Sequence, residues 1–224
     1  MFTRSLPAST LGAAAMAITV TLAAQQAQAT VIDFNDVPTN TILLQSGAMS
    51  TPLVTKGFRI TATGITSFVG NTDSGNPDLP DNGTNYLLGS VVQYSIVAVD
   101  GSAFSLTSFD AAEFHEGFPN DWSPQIRVNG IFANTFGIIQ NFDLDFLHDG
   151  TGGDPDFQTF AVTGFDNIVE LRFQGMNALR FNQFSLDNIA LTTAAVTSVP
   201  EPATLALFGL GIAGLGAARR ARKH

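Results

Sequence analysis

The sequence predicts an all-β body, an antiparallel two-sheet β-sandwich of jelly-roll-like type, flanked by an N-terminal signal helix and a C-terminal hydrophobic helix. Three observations carry this expectation. Apolar positions in the body alternate with small or polar ones over short runs, the period of a strand with one buried face. Gly, Asn, Asp and Pro bound those runs, and no long 3.6-residue periodicity interrupts them. Many short strands with frequent turn signals fit two packed antiparallel sheets.

Taken in order, residues 1–29 open with Arg4, pass through the weakly polar LGAAAMAITVTLAA and close on AQA. Basic, apolar and small-residue regions in that order predict a signal peptide, with Ala27 and Ala29 presented to the peptidase and cleavage after Ala29. The apolar run is shorter than the ~20 residues of a spanning helix, which disfavours a retained anchor. Residues 30–196 form the sandwich domain. Its expected strands are TVIDF, KGFRITA, NYLLG, VVQYSIVA, SAFSLTSFDAAEF, QIRVNGIFANTFGI, FQTFAVTG, IVELRFQG and NQFSLDNIALT. Two stretches dense in turn-forming residues, 70–85 and 148–156, read as loops.

Residues 197–224 read as a separate terminal segment. It contains Val199, Pro200, Glu201 and Pro202, an uncharged run at about 203–218, and a tail bearing Arg219, Arg220, Arg222 and Lys223. At ~1.5 Å per residue the run reaches ~24 Å, slightly short of a ~30 Å hydrocarbon core. Positive charge beside a short span stays on the cytoplasmic side, so this helix would hold the body on the far side of a membrane.

Composition narrows the chemistry. The chain has no cysteine, which excludes disulfides, thiol catalysis and Cys-ligated zinc. Of its nineteen acidic residues all but Glu201 lie in the body, against Lys56, Arg59, Arg127, Arg172 and Arg180, so the body carries about −13. That field disfavours nucleic acid as a partner and favours cations. Nineteen phenylalanines, all but Phe2 and Phe208 in the body, supply apolar area without a polar group to satisfy. Most are expected in the core.

The segment Val199-Pro200-Glu201-Pro202, the glycine-bearing apolar run and the Arg-Arg-Ala-Arg-Lys tail together resemble the PEP-CTERM sorting signal of Gram-negative bacteria. The resemblance implies export by the Sec machinery, leader removal by signal peptidase, and transient retention in the inner membrane by the C-terminal helix. It further implies cleavage near Pro-Glu-Pro by an exosortase, with release to the cell surface or an extracellular exopolysaccharide matrix. More loosely, VIDFNDVP, GFRIT, FSLTSFDAAEF, FQTFAVTGF and FSLDNIALT resemble the Phe-rich β-sandwich domains that precede this signal. FSLDNIALT is also similar to the closing strand of jelly-roll carbohydrate-binding modules, whose aspartate often binds a structural calcium.

Three groups of residues stand out as candidate sites. In NQFSLDNIALT, Phe184 and Leu186 alternate, but the next apolar residues are Ile189 and Leu191. The phase slip predicts a β-bulge at Asp187 and Asn188. Asp187 there either shapes the bulge or binds Ca2+ together with Asp33 or Asp36 of the first strand, calcium requiring six to eight oxygens. In DAAEFHEGFPNDW, Asp110, Glu113, His115 and Glu116 crowd together, which fits either a polar strand end or acid–base work. No second histidine, nucleophile elbow or phosphate-binding loop accompanies them. Trp122 is the best of the few aromatics able to stack on a sugar, beside Tyr86 and Tyr94, with ordinary packing as the other reading.

The function expected from these observations is that of an exported, non-enzymatic matrix or cell-surface sandwich, binding polysaccharide or adhering with the help of calcium. Because a body of about −13 repels an acidic polysaccharide, that reading expects bridging divalent cations. The alternative is a secreted polysaccharide hydrolase or lyase using Glu113, His115 and Glu116.

Overall fold

The structure, a computed structural model, describes residues 28–71, 79–80, 82–113, 123–145, 157–176, 182–193 and 219. The expected signal helix, the PEP segment and the hydrophobic run at 203–218 lie outside these residues, as do Ala27, His115, Glu116, Trp122 and the loop at 148–156. The chain divides into a body, Gln26–Val196, and the two terminal segments. Among the described residues no helix is long and apolar enough to cross a membrane.

Eleven strands form the body: β1 Gln28–Ile32, β2 Ile42–Leu44, β3 Leu53–Thr55, β4 Phe58–Asn71, β5 Asn85–Ala98, β6 Phe104–Ala112, β7 Gln125–Phe132, β8 Gly137–Asp143, β9 Gln158–Ala161, β10 Ile168–Gly175 and β11 Gln183–Thr193. Every pairing is antiparallel, and hydrogen bonds link the strands in the order β2-β4-β5-β11-β6-β10-β7-β8. This continuous ribbon doubles back on itself to make the sandwich. The first part of β5 pairs with β11 through Leu87–Ser90, whereas its last part pairs with β10 through Tyr94–Ile96. One long β4–β5 hairpin therefore belongs to both layers.

Where the hairpin passes between layers, its register shifts at Thr63, Gly64 and Thr66. Gly89 faces that irregularity. A Cβ there would fall on the Thr66 carbonyl and lie 2.7 Å from Ser67 Cα. The two backbones can approach this closely because neither side chain stands between them. The sequence reading split β5 into NYLLG and VVQYSIVA at this point. The glycine marks a bend inside one strand, not an end.

The first layer holds β1, β6, β9 and β11 with one half of the hairpin and β2 at its edge. The second holds β3, β7, β8 and β10 with the other half. Aromatic rings join them: Phe58 meets Phe104 at 5.3 Å, Tyr94 meets Phe184 at 5.5 Å and Phe109 meets Phe173 at 5.1 Å, all edge to face. Such pairs contribute ~0.5–1.5 kcal/mol beyond the area they bury. Seven described phenylalanines are buried, as expected of the core, while Phe136 at the β7–β8 turn is exposed. The Tyr94 hydroxyl, wholly buried, shares a 2.9 Å hydrogen bond with Ser67 Oγ, and burial raises its pKa.

Short edge strands β2 and β3 escaped the sequence reading because three residues are too few to establish a period. The stretch ANTF, residues 133–136, reads as strand in the sequence but makes the β7–β8 turn, with Thr135 at φ +70°.

Candidate functional site

The pairing of β6 with β11 brings together two candidates that lie far apart in the chain. Asp187 sits directly across from Asp110 on the outward side of the first layer. The register shifts between Asp187 and Ala190, and Asn188 adopts φ +46°, the left-handed conformation that Asn tolerates. The bulge thus occurs at the residues the phase slip indicated. It lets Phe184 and Leu186 before it and Ile189 and Leu191 after it all face the core.

Asp187 is completely buried. Its Oδ2 accepts hydrogen bonds from Asn82 Nδ2 at 2.6 Å and from Thr84 Oγ1 at 3.0 Å. The same threonine hydroxyl lies 2.9 Å from Asn82 Oδ1, and the Thr84 backbone N–H donates to that oxygen at 3.0 Å. These bonds close the turn at Gly83, φ +73°, over the carboxylate. Asp187 Oδ1 is buried and has no hydrogen-bond partner among the described residues. Burial pushes the Asp187 carboxyl up to about 7, reinforced by the charge of Asp110 and opposed by the Asn188 backbone N–H, Thr84 and Asn82.

Asp110 is held in turn. Its Oδ1 accepts from Thr159 Oγ1 at 2.7 Å and its Oδ2 from Asn188 Nδ2 at 2.8 Å. Strand β6 ends at Ala112, so Glu113 lies one residue past the strand. It is completely buried, and its carbonyl accepts from Ser185 Oγ at 3.4 Å. Tyr86, Leu88 and Ala112 are buried on this outward side, apart from the main core cluster. The face is therefore a small, covered, largely polar interior of its own.

Asp33 and Asp36 are engaged elsewhere. Asp33 accepts from the Asn35 backbone N–H at 3.4 Å and lies 3.8 Å from Lys56 Nζ. Asp36 accepts from Thr55 Oγ1 at 2.9 Å. Among the described residues no three His, Cys, Asp or Glu side chains gather as a metal-ligand set. Tyr86 and Tyr94 are both wholly buried and offer no face to a sugar. Ala29 lies in β1 opposite Thr192, so cleavage after it would leave Thr30–Ile32 paired with β11.

Nothing in the sequence joins Asn82 and Thr84 to Asp187: they belong to a turn-rich stretch that reads as loop, and their spacing fits only a glycosylation sequon of no weight here. Near Lys56 and Asp100 an open depression of about 300 Å³ is lined also by Thr30, Phe58, Val99 and Thr193. Asp100 there accepts from the Ser102 backbone N–H at 2.9 Å, and the hydrogen bonds from Ser102 lower its pKa.

Residues 198–223 match the model of the PEP-CTERM protein-sorting motif. The chain carries a PEP-CTERM sorting signal. That signal indicates an exported protein handled by exosortase. No curated protein matches the chain. Among solved structures it is similar to a family 29 carbohydrate-binding module from Piromyces equi, at 10% identity and TM-score 0.38, covering 77% of this chain and 94% of that one. It is similar also to an F5/8 type C domain from Bacteroides fragilis, at 9% identity and TM-score 0.36, over 63% and 95% of the two chains. A third similarity is to a family 32 module of a family 31 glycoside hydrolase from Clostridium perfringens, at 11% identity and TM-score 0.34, over 64% and 95%.

Proposed function

We propose that the protein is an exported, non-enzymatic β-sandwich that binds polysaccharide at the cell surface or in the extracellular matrix. Its C-terminal PEP-CTERM signal supports the location. The observation that carries the non-enzymatic reading is the state of three described carboxylates, Asp110, Glu113 and Asp187. Asp187 and Glu113 are wholly buried, and Asp110 and Asp187 are taken up by side chains of the protein itself. A glycosidase needs two carboxyl groups that reach the substrate.

Calcium, on this reading, has a structural role at Asp187 and not a bridging one. The buried, unpartnered Oδ1 of a residue that stands across from Asp110 supports that place, because a divalent cation would relieve two neighbouring carboxylates and supply the missing partner. Precursor retention by the 203–218 helix, followed by exosortase cleavage near Pro200-Glu201-Pro202, completes the proposal.

The test is a binding assay of the full chain, purified in mild detergent, against a panel of neutral and acidic polysaccharides with calcium or with chelator. Retention on at least one glycan is the expected result. Loss of soluble sugar polymer to smaller products during the assay would overturn the non-enzymatic assignment, and failure to bind any glycan would overturn the binding one.

A further inference from the structure

The outward side of the second layer differs in charge from the rest of the body. Within the strands β4, β5, β10, β7 and β8 the register fixes which residues stand side by side. One row reads Thr61, Ser95, Arg172, Asn129 and Ile139. Arg59 lies one row to one side, opposite Val97, and Arg127 one row to the other, opposite Gln174 and Asn141. The three arginines follow a diagonal across the sheet. With ~4.8 Å between strands and ~3.4 Å per residue, Arg59 is ~12 Å from Arg172, and Arg172 is ~8 Å from Arg127.

The alternation of burial confirms the direction. Arg59 is exposed between buried Phe58 and Ile60, Arg127 half-buried between Ile126 and Val128, and Arg172 half-buried between Leu171 and Phe173. These are all the described arginines of the body. In a domain of about −13 they gather on one face.

Among the described residues of these strands two acids share this face, and both are engaged. Glu170 takes Arg172 Nε at 2.7 Å and Nη2 at 2.9 Å, with Ser95 Oγ donating to it at 2.6 Å. Asp143 accepts from Gln125 Nε2 at 2.5 Å. Arg127 donates through Nε to Asn141 Oδ1 at 3.3 Å, which holds the guanidinium across the sheet.

We infer that this arginine diagonal is a binding strip for the carboxylates of a uronate-containing polysaccharide, engaged directly and without bridging cations. The inference rests on the polysaccharide-binding reading above. Guanidinium groups suit carboxylates by their forked geometry and weak hydration. Between them Ser95, bonded to Glu170, Asn141, bonded to Arg127, and half-buried Gln174 make a polar surface that suits a hydroxyl-rich chain. A protein partner would call for an apolar centre to the patch; here the exposed apolar side chains, Val54 and Ile139, lie at its two edges, and Ser95, Arg172 and Asn129 stand between them. The negative charge on the rest of the body keeps a polyanion to this one strip.

The experiment measures binding of the full chain in mild detergent to polygalacturonate, to its fully methyl-esterified form and to a single-stranded DNA oligomer, all in chelator, at low and moderate salt. Wild type is expected to bind polygalacturonate in chelator, at least tenfold more tightly than the ester, and more weakly as salt rises. The R59Q/R127Q variant is expected to lose at least tenfold of that affinity with an unchanged circular dichroism spectrum, and R59K/R127K to retain part of it. Equal binding of acid and ester would overturn the strip while leaving glycan binding intact. So would an undiminished R59Q/R127Q, a strict need for calcium, or DNA binding as tight as polygalacturonate. Absence of binding to either galacturonan, with a neutral glycan bound, would overturn the strip alone; absence of all glycan binding would overturn the underlying reading.

Discussion

The two outward faces of this sandwich are built from the same hairpin, yet they carry opposite chemistry. On the first layer Asp110 and Asp187 oppose each other beneath a closed turn, and no Lys or Arg occurs in β1, β2, β6, β9 or β11. On the second layer Arg59 is exposed, while half-buried Arg172 and Arg127 are held by Glu170 and Asn141. The covered face encloses its polar groups, whereas the other keeps its cations, paired or not, within reach of solvent. A buried carboxylate is held by donors at short range, but exposed guanidiniums keep their hydration until a partner arrives.

The strongest way to break the comparison is to remove the bend that joins the faces. Gly89→Ala places a methyl group on the Thr66 carbonyl, with backbone on both sides and little room to yield. A loss on the order of 4–5 kcal/mol is expected, at the severe end for single substitutions. Chemical denaturation would measure it. A change below ~1 kcal/mol would show that the two layers do not depend on this crossing.

Asp187 tests the covered face through pH. Its carboxyl is raised to about 7 in the folded chain, so between about 4 and 7 the folded state binds more protons than the unfolded one. Stability therefore falls as pH rises through that window in calcium-free buffer, and the full penalty is present above it. Three pKa units correspond to at most about 4 kcal/mol. D187N, which keeps the shape without the charge, is expected to be about 2–4 kcal/mol more stable than wild type at pH 8. At pH 4 the difference should nearly vanish. A pH-independent difference between the two proteins would mean that Asp187 does not titrate as its surroundings imply.

A smaller effect is expected from Asn188→Ala. The substitution puts alanine at φ +46° and removes the amide bond to Asp110, for a loss of about 1–2 kcal/mol. Asn188→Gly, which restores the backbone freedom and not the amide, separates the two contributions. Smallest in stability is Glu170→Gln on the open face, within about 1 kcal/mol because the ion pair is partly exposed. Its informative readout is affinity: with Arg172 released, polygalacturonate should bind a few-fold more tightly. Weaker binding would mean that Glu170 orients Arg172 instead of competing for it.

Much of the fold was legible in the sequence because burial on one side of a strand leaves a period of two. IVELRFQG matched β10 residue for residue, and the bulge at Asp187 could be found from a single slip in that period. The same rule misread β5, where Gly89 gave the signal of a strand end, and passed over β2 and β3. The candidate sites were legible residue by residue and not as sites. Asp110 and Asp187 were noticed for separate reasons, one as a possible catalyst and one as a possible ligand. Their cross-strand meeting has no local trace.

By itself the sequence determined that the body is built of strands, the phase of the longer ones, the acidic balance and the C-terminal PEP-CTERM signal, since each depends on local spacing or simple composition. The tertiary structure decided which strands are neighbours. Arg59, Arg127 and Arg172 each look like an isolated outward cation in its own strand, and they became one diagonal through the order β4-β5-β10-β7. That order arises from packing two layers around a shared aromatic core, a long-range choice that no window of the chain contains.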